Sequence, residues 1–129
     1  MKIKSLITLF TTAVAAFYLS GCAAVIIGGA AGAGTYAYIR GEMKGNENAT
    51  LERTWSATQA AMKDLEFSVT TTQKDALQAR LIARTALDKK IEINLTKISD
   101  NLTEIKIRVS TFGDQTLSYT IIQSIEKRL

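Results

Sequence analysis

Histidine is absent from the sequence, and cysteine occurs once, as Cys22. Without histidine the chain cannot build the serine–histidine or cysteine–histidine pairs that activate nucleophiles, and it lacks the commonest protein ligand of transition metals. Without a second cysteine it cannot form an internal disulfide, so its core alone must hold any folded domain. The run GGAAGAG precedes no strand–helix unit that could bind phosphate, so it reflects composition rather than a phosphate-binding motif.

Carboxylates are the remaining candidates for acid–base chemistry, which would need two of them in one cleft. The aspartates fall at predicted caps and turns, where this residue is structurally expected. Glu92 and Glu104 fall at outward strand positions between basic residues. We therefore expect no catalytic residue, no metal site and no enzymatic activity.

The first 21 residues have the layout of a secretory signal peptide. Lys2 and Lys4 give a basic start, and no charged residue occurs from Ser5 to Leu19. This apolar segment is short for a membrane-spanning helix, which usually needs about 20 residues. The small residues Ser20 and Gly21 then suit the narrow cleft of a signal peptidase. We predict that residues 1–21 are a signal peptide.

The sequence Leu19-Ser20-Gly21-Cys22 resembles the lipobox of bacterial lipoproteins. The resemblance implies that the chain is cut before Cys22, that its sulfur receives a diacylglyceryl group and that the new amine is acylated. Several acyl chains on one cysteine suit stable membrane anchoring, because a single myristoyl-length chain binds a membrane only marginally. The alternative is a buried structural cysteine. This covalent lipid is the only non-protein group that we expect.

The exported chain would then span 108 residues with 14 basic and 12 acidic side chains, a net charge of +2. This balance does not favour nucleic acid as a partner. Ala23 follows the cysteine, and by resemblance to the sorting rule of lipoproteins in two-membraned bacteria it implies the periplasmic face of the outer membrane. The partners that we expect are therefore the membrane and an unidentified envelope protein.

Residues 22–34 form an uncharged segment rich in glycine and alanine. One interpretation is a flexible tether, since glycine is costly inside a helix. A second is a close-packed helix face in the membrane, because Gly28 and Gly32 have GxxxG spacing. A third is a long uncleaved hydrophobic hairpin formed with the signal segment. The apolar run Val25-Ile26-Ile27 is atypical of a tether, so the alternatives stay open.

Residues 35–129 read as one small α+β domain. We predict an edge strand over Thr35–Asn48, a helix that begins after the N-cap Thr50, four strands, and a last helix capped by Asp114. The first of the four strands, from Phe67 to Thr72, alternates as a half-buried strand does. The predicted architecture is a two-layer sandwich in the order β-α-β-β-β-β-α, with an antiparallel sheet of four to five strands and both helices on one face.

The apolar residues of the last three strands are mostly odd-numbered, which constrains how these strands pair. A three-residue loop over 99–101, with Asn101 in the left-handed region, would set Leu95 opposite Ile105 and Ile93 opposite Ile107. A loop over 87–89 would set Arg84 opposite Glu92 and avoid pairing Arg84 with Lys90.

The glycine–alanine run before the TYAY segment, the helix that carries Trp55 and the turn Thr111-Phe112-Gly113-Asp114 resemble a family of small bacterial lipoproteins of unknown function. The resemblance spans about Val25 to Leu129 and brings no catalytic residues. It fits a non-enzymatic envelope lipoprotein that serves as a structural or protein-interaction module.

The outer face of the predicted sheet is the candidate partner surface, as opposed to an ordinary solvated face. It would carry Arg80, Arg84, Glu92, Lys106 and Arg108. The alternative function is a small-molecule or lipid-binding module that uses the cleft between helices and sheet. A cavity walled by Trp55, Met62 and Ile121 would favour that alternative.

Overall fold

The computed structural model describes residues 25–28 and 35–129. The predicted signal peptide, with Leu19, Ser20 and Gly21, and the predicted lipidation site Cys22 lie outside the described residues. The elements in chain order are β1 (Val25–Gly28), β2 (Thr35–Ile39), β3 (Glu42–Glu47), α1 (Leu51–Asp64), β4 (Ser68–Lys74), β5 (Gln78–Arg84), β6 (Lys90–Ser99), β7 (Leu102–Val109) and α2 (Gln115–Glu126).

Across the described residues, seven antiparallel strands form one sheet in the order β1-β2-β3-β7-β6-β5-β4. The inward side chains of this sheet and the apolar sides of both helices form a single buried core. The α+β class and the antiparallel sheet with two helices are therefore confirmed. The predicted strand count and order are wrong, because three strands rather than one precede α1.

The segment Thr35–Asn48 folds into the hairpin β2–β3 instead of one edge strand. Arg40 and Gly41 both have positive φ, 53° and 81°, and this reverses the chain after Ile39. β3 then pairs with β7, so it lies inside the sheet. Gly45 is required in β3, because a Cβ there would collide with the Tyr36 ring and the Thr35 carbonyl.

Only four residues of the predicted segment 22–34 are described, and they form β1 at the edge of the sheet. β1 pairs with β2, with Val25 opposite Tyr38 and Gly28 opposite Thr35. Whether the segment acts as a tether or contacts the membrane stays a prediction.

Both helices begin where their caps predict. The Thr50 hydroxyl accepts a hydrogen bond from the Arg53 backbone N–H at 3.1 Å, and the Asp114 carboxylate accepts one from Leu117 at 2.9 Å. Each cap satisfies an N–H that the first helical turn leaves without a partner. The apolar face of α1 includes the small residues Thr54, Ala57 and Ala61, whereas Trp55 is only half-buried.

The predicted pairing of β6 with β7 is confirmed, although its predicted loop is wrong. Leu95 lies opposite Ile105 and Ile93 opposite Ile107. The chain turns through two residues, 100–101, and an irregularity at Ile98 takes up the odd residue. Asn101 does not enter the left-handed region. The core alternation fixes the register, and a bulge satisfies it as well as a longer loop does.

The predicted pairing of Arg84 with Glu92 is wrong, because Arg84 lies opposite Lys90. The loop over 85–89 has five residues, and the Thr85 N–H closes it by donating to the Lys89 carbonyl at 3.0 Å. Arg84 binds the loop carboxylate of Asp88 at 3.3 Å, and this separates its charge from that of Lys90.

The prediction of a half-buried strand over Phe67–Thr72 is also wrong in its burial. All seven residues of β4 are exposed, including Val69 at 45%. β4 is the last strand of the sheet, and a register shift between Val69 and Thr71 breaks its alternation. Phe67, just before the strand, packs against the core instead.

Candidate functional site

The predicted partner residues share the outer face of the sheet, which we define by Arg80, Arg84, Glu92, Lys106 and Arg108. Their odd-numbered neighbours on β5, β6 and β7 point into the core, so these five side chains point away from the helices. Glu92 lies between Ile82 and Arg108 in the ladder of β5, β6 and β7. The structure therefore brings four cations and one carboxylate onto one surface.

Glu92 is the electrostatic centre of this face. Its carboxylate lies 3.0 Å from Arg80 and 3.6 Å from Lys90, and it accepts a hydrogen bond from the Asn94 amide at 3.2 Å. The Asn94 hydrogen bond, followed by the charges of Arg80 and Lys90, holds the pKa of Glu92 below its ordinary value despite partial burial. Glu92 is thus held ionised near neutral pH, which excludes it as a general acid and makes it a weak general base.

The other cations of the face also have acidic neighbours. Lys106 lies 3.4 Å from Glu104, and Arg108 lies 3.7 Å from Glu42. Each of these side chains is partly exposed, so each pair contributes at most about 1 kcal/mol to stability. The charges are arranged as a network over several strands, which makes the face a patterned surface rather than a single-sign patch.

A groove of about 450 Å³ opens where this face meets the loops after β5 and β7. Four basic and two acidic side chains line it, with two hydroxyls. The lining residues are Arg84, Asp88, Lys89, Lys90, Glu92, Arg108, Ser110 and Thr111. Such a lining suits a small anionic group rather than an apolar ligand.

A second group of polar side chains lies inside the molecule and was not predicted. The Tyr36 hydroxyl donates to the Glu47 carboxylate at 2.5 Å, and Glu47 is only 1% exposed. Burial, and then the hydrogen bond to Glu47, raise the pKa of Tyr36 above its ordinary value, so this hydroxyl remains a donor. Partial burial and the Glu47 carboxyl, which shares a hydrogen bond with Glu126, raise the pKa of Glu126.

Glu47 and Glu126 are two carboxylates in one place, the arrangement that acid–base catalysis would need. Neither residue, however, lines the groove at the loops after β5 and β7 or the cavity beside Asp75 and Thr96. The group instead joins the end of α2 to the hairpin β2–β3. Sequence parity could have placed Glu47 on the inner face, because Met43, Gly45 and Glu47 share one face once the turn at Gly41 is recognised, but it gives no signal for the contact with Glu126.

The cleft between helices and sheet is filled where the alternative function would need space. Met62 and Ile121 are fully buried in the core, and Trp55 packs against it from the rim. The other described cavity, of about 320 Å³, lies at the opposite end of the outer face and is lined by residues such as Asp75, Arg80 and Thr96. Neither described cavity is walled by Trp55, Met62 or Ile121.

Among residues 25–28 and 35–129, no helix is both long enough and apolar enough to cross a membrane. No group of three or more acidic, cysteine or histidine side chains among them is placed to hold a metal ion.

The sequence matches a family described as "Protein of unknown function (DUF3568)" over residues 4–128. Among curated proteins, none matches the sequence. The resemblance to an uncharacterised family is confirmed at this level, and the match carries no assignment of lipidation, partner or activity. Because the match covers nearly the whole chain, this protein belongs to the DUF3568 family of proteins of unknown function.

Proposed function

We propose that this protein is a lipid-anchored component of a bacterial cell envelope, acylated at Cys22, whose domain serves as a non-enzymatic protein-interaction module. The family match begins at residue 4 and so includes both the lipobox-like sequence and the folded domain. This shared span supports the view that leader and domain work as one protein. The residue after the cysteine, Ala23, favours the periplasmic face of the outer membrane.

The single observation that carries the interaction role is the open outer face of the sheet. The helices cover one face only, while the other presents Arg80, Glu92 and Lys106 in a charged network across three strands. Charged networks of this kind contribute more to the choice and orientation of a partner than to raw affinity. We therefore place the envelope partner on this face.

Mass spectrometry of the protein purified from envelopes tests the anchor. We expect an N-terminal peptide that begins at Cys22 and carries a diacylglyceryl group and an amide-linked acyl chain. Cys22→Ser is the matched control, and it should leave residues 1–21 uncleaved and the chain unacylated. A full-length chain with a free thiol, recovered from the cytosol, would refute the anchor.

Site-specific crosslinking in living cells tests the interaction face. A photoreactive residue at Thr96, on the outer face, should capture one defined envelope protein. The double charge reversal Arg80→Glu with Lys106→Glu should abolish this product, whereas Lys63→Glu on the exposed side of α1 should not. Capture that is unchanged by the double reversal would remove the outer face from the proposal.

A further inference from the structure

Three chain connections meet at one end of the sheet, which we call the loop end: the turn 40–41, the loop 85–89 and the loop 110–114. Lys89 bridges the last two by an ion pair of 3.2 Å with Asp114, and the Ser110 N–H donates to the Lys90 carbonyl at 2.8 Å. Gly41 packs so closely on the third loop that a Cβ there would lie 2.8 Å from the Phe112 carbonyl oxygen. The loop end is therefore one joined surface.

Two large apolar side chains project from the loop end into solvent. Phe112 is 92% exposed and Leu87 is 83% exposed, the highest values among the large apolar side chains of residues 35–129. Isolated exposed apolar residues are common in soluble domains. Here the two most exposed ones occupy adjacent loops, which is the placement of side chains that enter the interfacial region of a bilayer.

The charges beside these loops complement an anionic surface. The groove at the loop end contains Arg84, Lys89, Lys90 and Arg108 against Asp88 and Glu92. Each of the four cations lies within 3.7 Å of a carboxylate, because Arg84 pairs with Asp88, Lys89 with Asp114, Lys90 with Glu92 and Arg108 with Glu42. These pairs are partly exposed and weak, so the phosphates of anionic phospholipid headgroups can replace the carboxylates as partners of the cations.

The course of the chain brings the predicted lipid to this same end. Val25 lies opposite Tyr38, near the end of β2 that leads into the turn 40–41, so β1 starts at the loop end. Cys22 precedes Val25 by three residues, a stretch that spans at most about 11 Å when fully extended. An acyl group on Cys22 would therefore enter the bilayer beside the exposed loops.

We propose that the loop end is a second membrane contact, in which Phe112 and Leu87 enter a bilayer that contains anionic phospholipid and the groove cations bind its headgroup phosphates. This inference rests on the proposed acylation of Cys22. Lipid anchor and loop contact together hold the strands upright on the membrane, with the outer face of the sheet accessible from the side. The acyl chains supply the stable attachment, and the tether gives the loop end a high effective concentration at the bilayer, so that even a weak loop contact can fix the orientation of the domain.

Fluorescence of the full, acylated chain in vesicles tests this arrangement. Acylation blocks Cys22, so Thr111→Cys beside Phe112 and Ala76→Cys beside the exposed Leu77 can each carry one NBD group. In vesicles of phosphatidylethanolamine with phosphatidylglycerol, the probe at residue 111 should shift to shorter wavelength and be quenched by lipid-borne quenchers. The probe at residue 76, at the opposite end of the sheet, should keep its aqueous spectrum.

Charge and apolar variants give the second arm of the test. Lys89→Glu with Lys90→Glu should lower the ratio of docked to undocked domain at least about fivefold per cation removed. Lys97→Glu, at the far end of β6, should leave the ratio unchanged. Phe112→Ser should reduce the spectral shift in every vesicle, and phosphatidylcholine vesicles should give a smaller shift than phosphatidylglycerol does.

If Cys22 is acylated and the two probes behave alike, the proposed second membrane contact is refuted, whereas the proposed lipid anchor is supported. If the probe at residue 111 responds only when an envelope protein is added, the loop end binds protein and not lipid, which also overturns the inference. An unmodified Cys22 overturns the anchor and this contact together.

Discussion

Glu126→Gln should stabilise the domain, and increasingly so as pH rises. Glu126 shares a hydrogen bond with the buried Glu47, and partial burial followed by the charge of Glu47 raises its pKa above the ordinary 4.5. The folded chain therefore holds this proton more tightly than the unfolded chain does. The stabilising effect is complete below pH 4.5 and is lost as pH rises through the raised pKa.

The expected gain in the free energy of unfolding follows from the hydrogen bond that the glutamine side chain retains. Its amide can donate to the Glu47 carboxylate at every pH without adding a second negative charge. A hydrogen bond to a charged group contributes about 1.5–3 kcal/mol when buried. Glu126 is only half-buried, so we expect a gain of about 1 kcal/mol at pH 8, which raises Tm by about 4–8 °C in a domain of this size.

Urea unfolding at pH 4 and pH 8, followed by Trp55 fluorescence, measures this gain. A soluble form that begins at Ala23 retains every described residue. Glu52→Gln is the matched control, because Glu52 is exposed beside Lys74 and its loss should cost less than about 1 kcal/mol. A loss of stability in Glu126→Gln at pH 8, or an equal gain at both pH values, would show that burial and the charge of Glu47 do not raise the pKa of Glu126.

Two further changes address the same hairpin, and the same unfolding assay measures both. Tyr36→Phe should cost about 1–3 kcal/mol, because it leaves the buried Glu47 without its hydroxyl donor; an unchanged urea midpoint would mean that this hydrogen bond makes no net contribution to stability. Gly45→Ala should cost at least about 1–3 kcal/mol, since the new methyl group meets the Tyr36 ring. Ala61→Gly, a matched change of one methyl group in α1, should cost about 1 kcal/mol, and a smaller effect of Gly45→Ala than this would contradict the close packing.

The parts of the fold that sequence could predict are those with a strong local signal. Thr50 and Asp114 mark the helix starts because a cap needs only neighbouring backbone. The pairing of β6 with β7 follows from parity, since a shift by one residue would turn Ile93 and Ile107 to solvent. Loop details were less constrained, and so the extra residue at Ile98 was not foreseen.

The missed features depend on contacts between distant segments. The sequence around Gly41 is compatible both with a weak point inside one strand and with a turn between two strands. The turn is favoured only because β7 pairs with β3, and this pairing is not visible in the local sequence. Arg84 lies opposite Lys90 instead of Glu92 without an unpaired charge, because Asp88 of the loop binds its guanidinium at 3.3 Å. The acidic group of Glu47 and Glu126 becomes visible only when the last helix is placed against the hairpin.

The pairing of β3 with β7 also bears on how the domain can be made. Each residue of β3 meets a partner that lies 56 to 66 positions later in the chain. During synthesis the β2–β3 hairpin is made long before β7. Until β7 is available, the edge of β3 that pairs with β7 has no partner strand. Contacts between residues so far apart in sequence form slowly. The unpaired edge of β3 is therefore the part of the sheet that a chaperone could bind for the longest time. A chain that stops before Leu102 would lack β7, the strand that joins the two halves of the sheet.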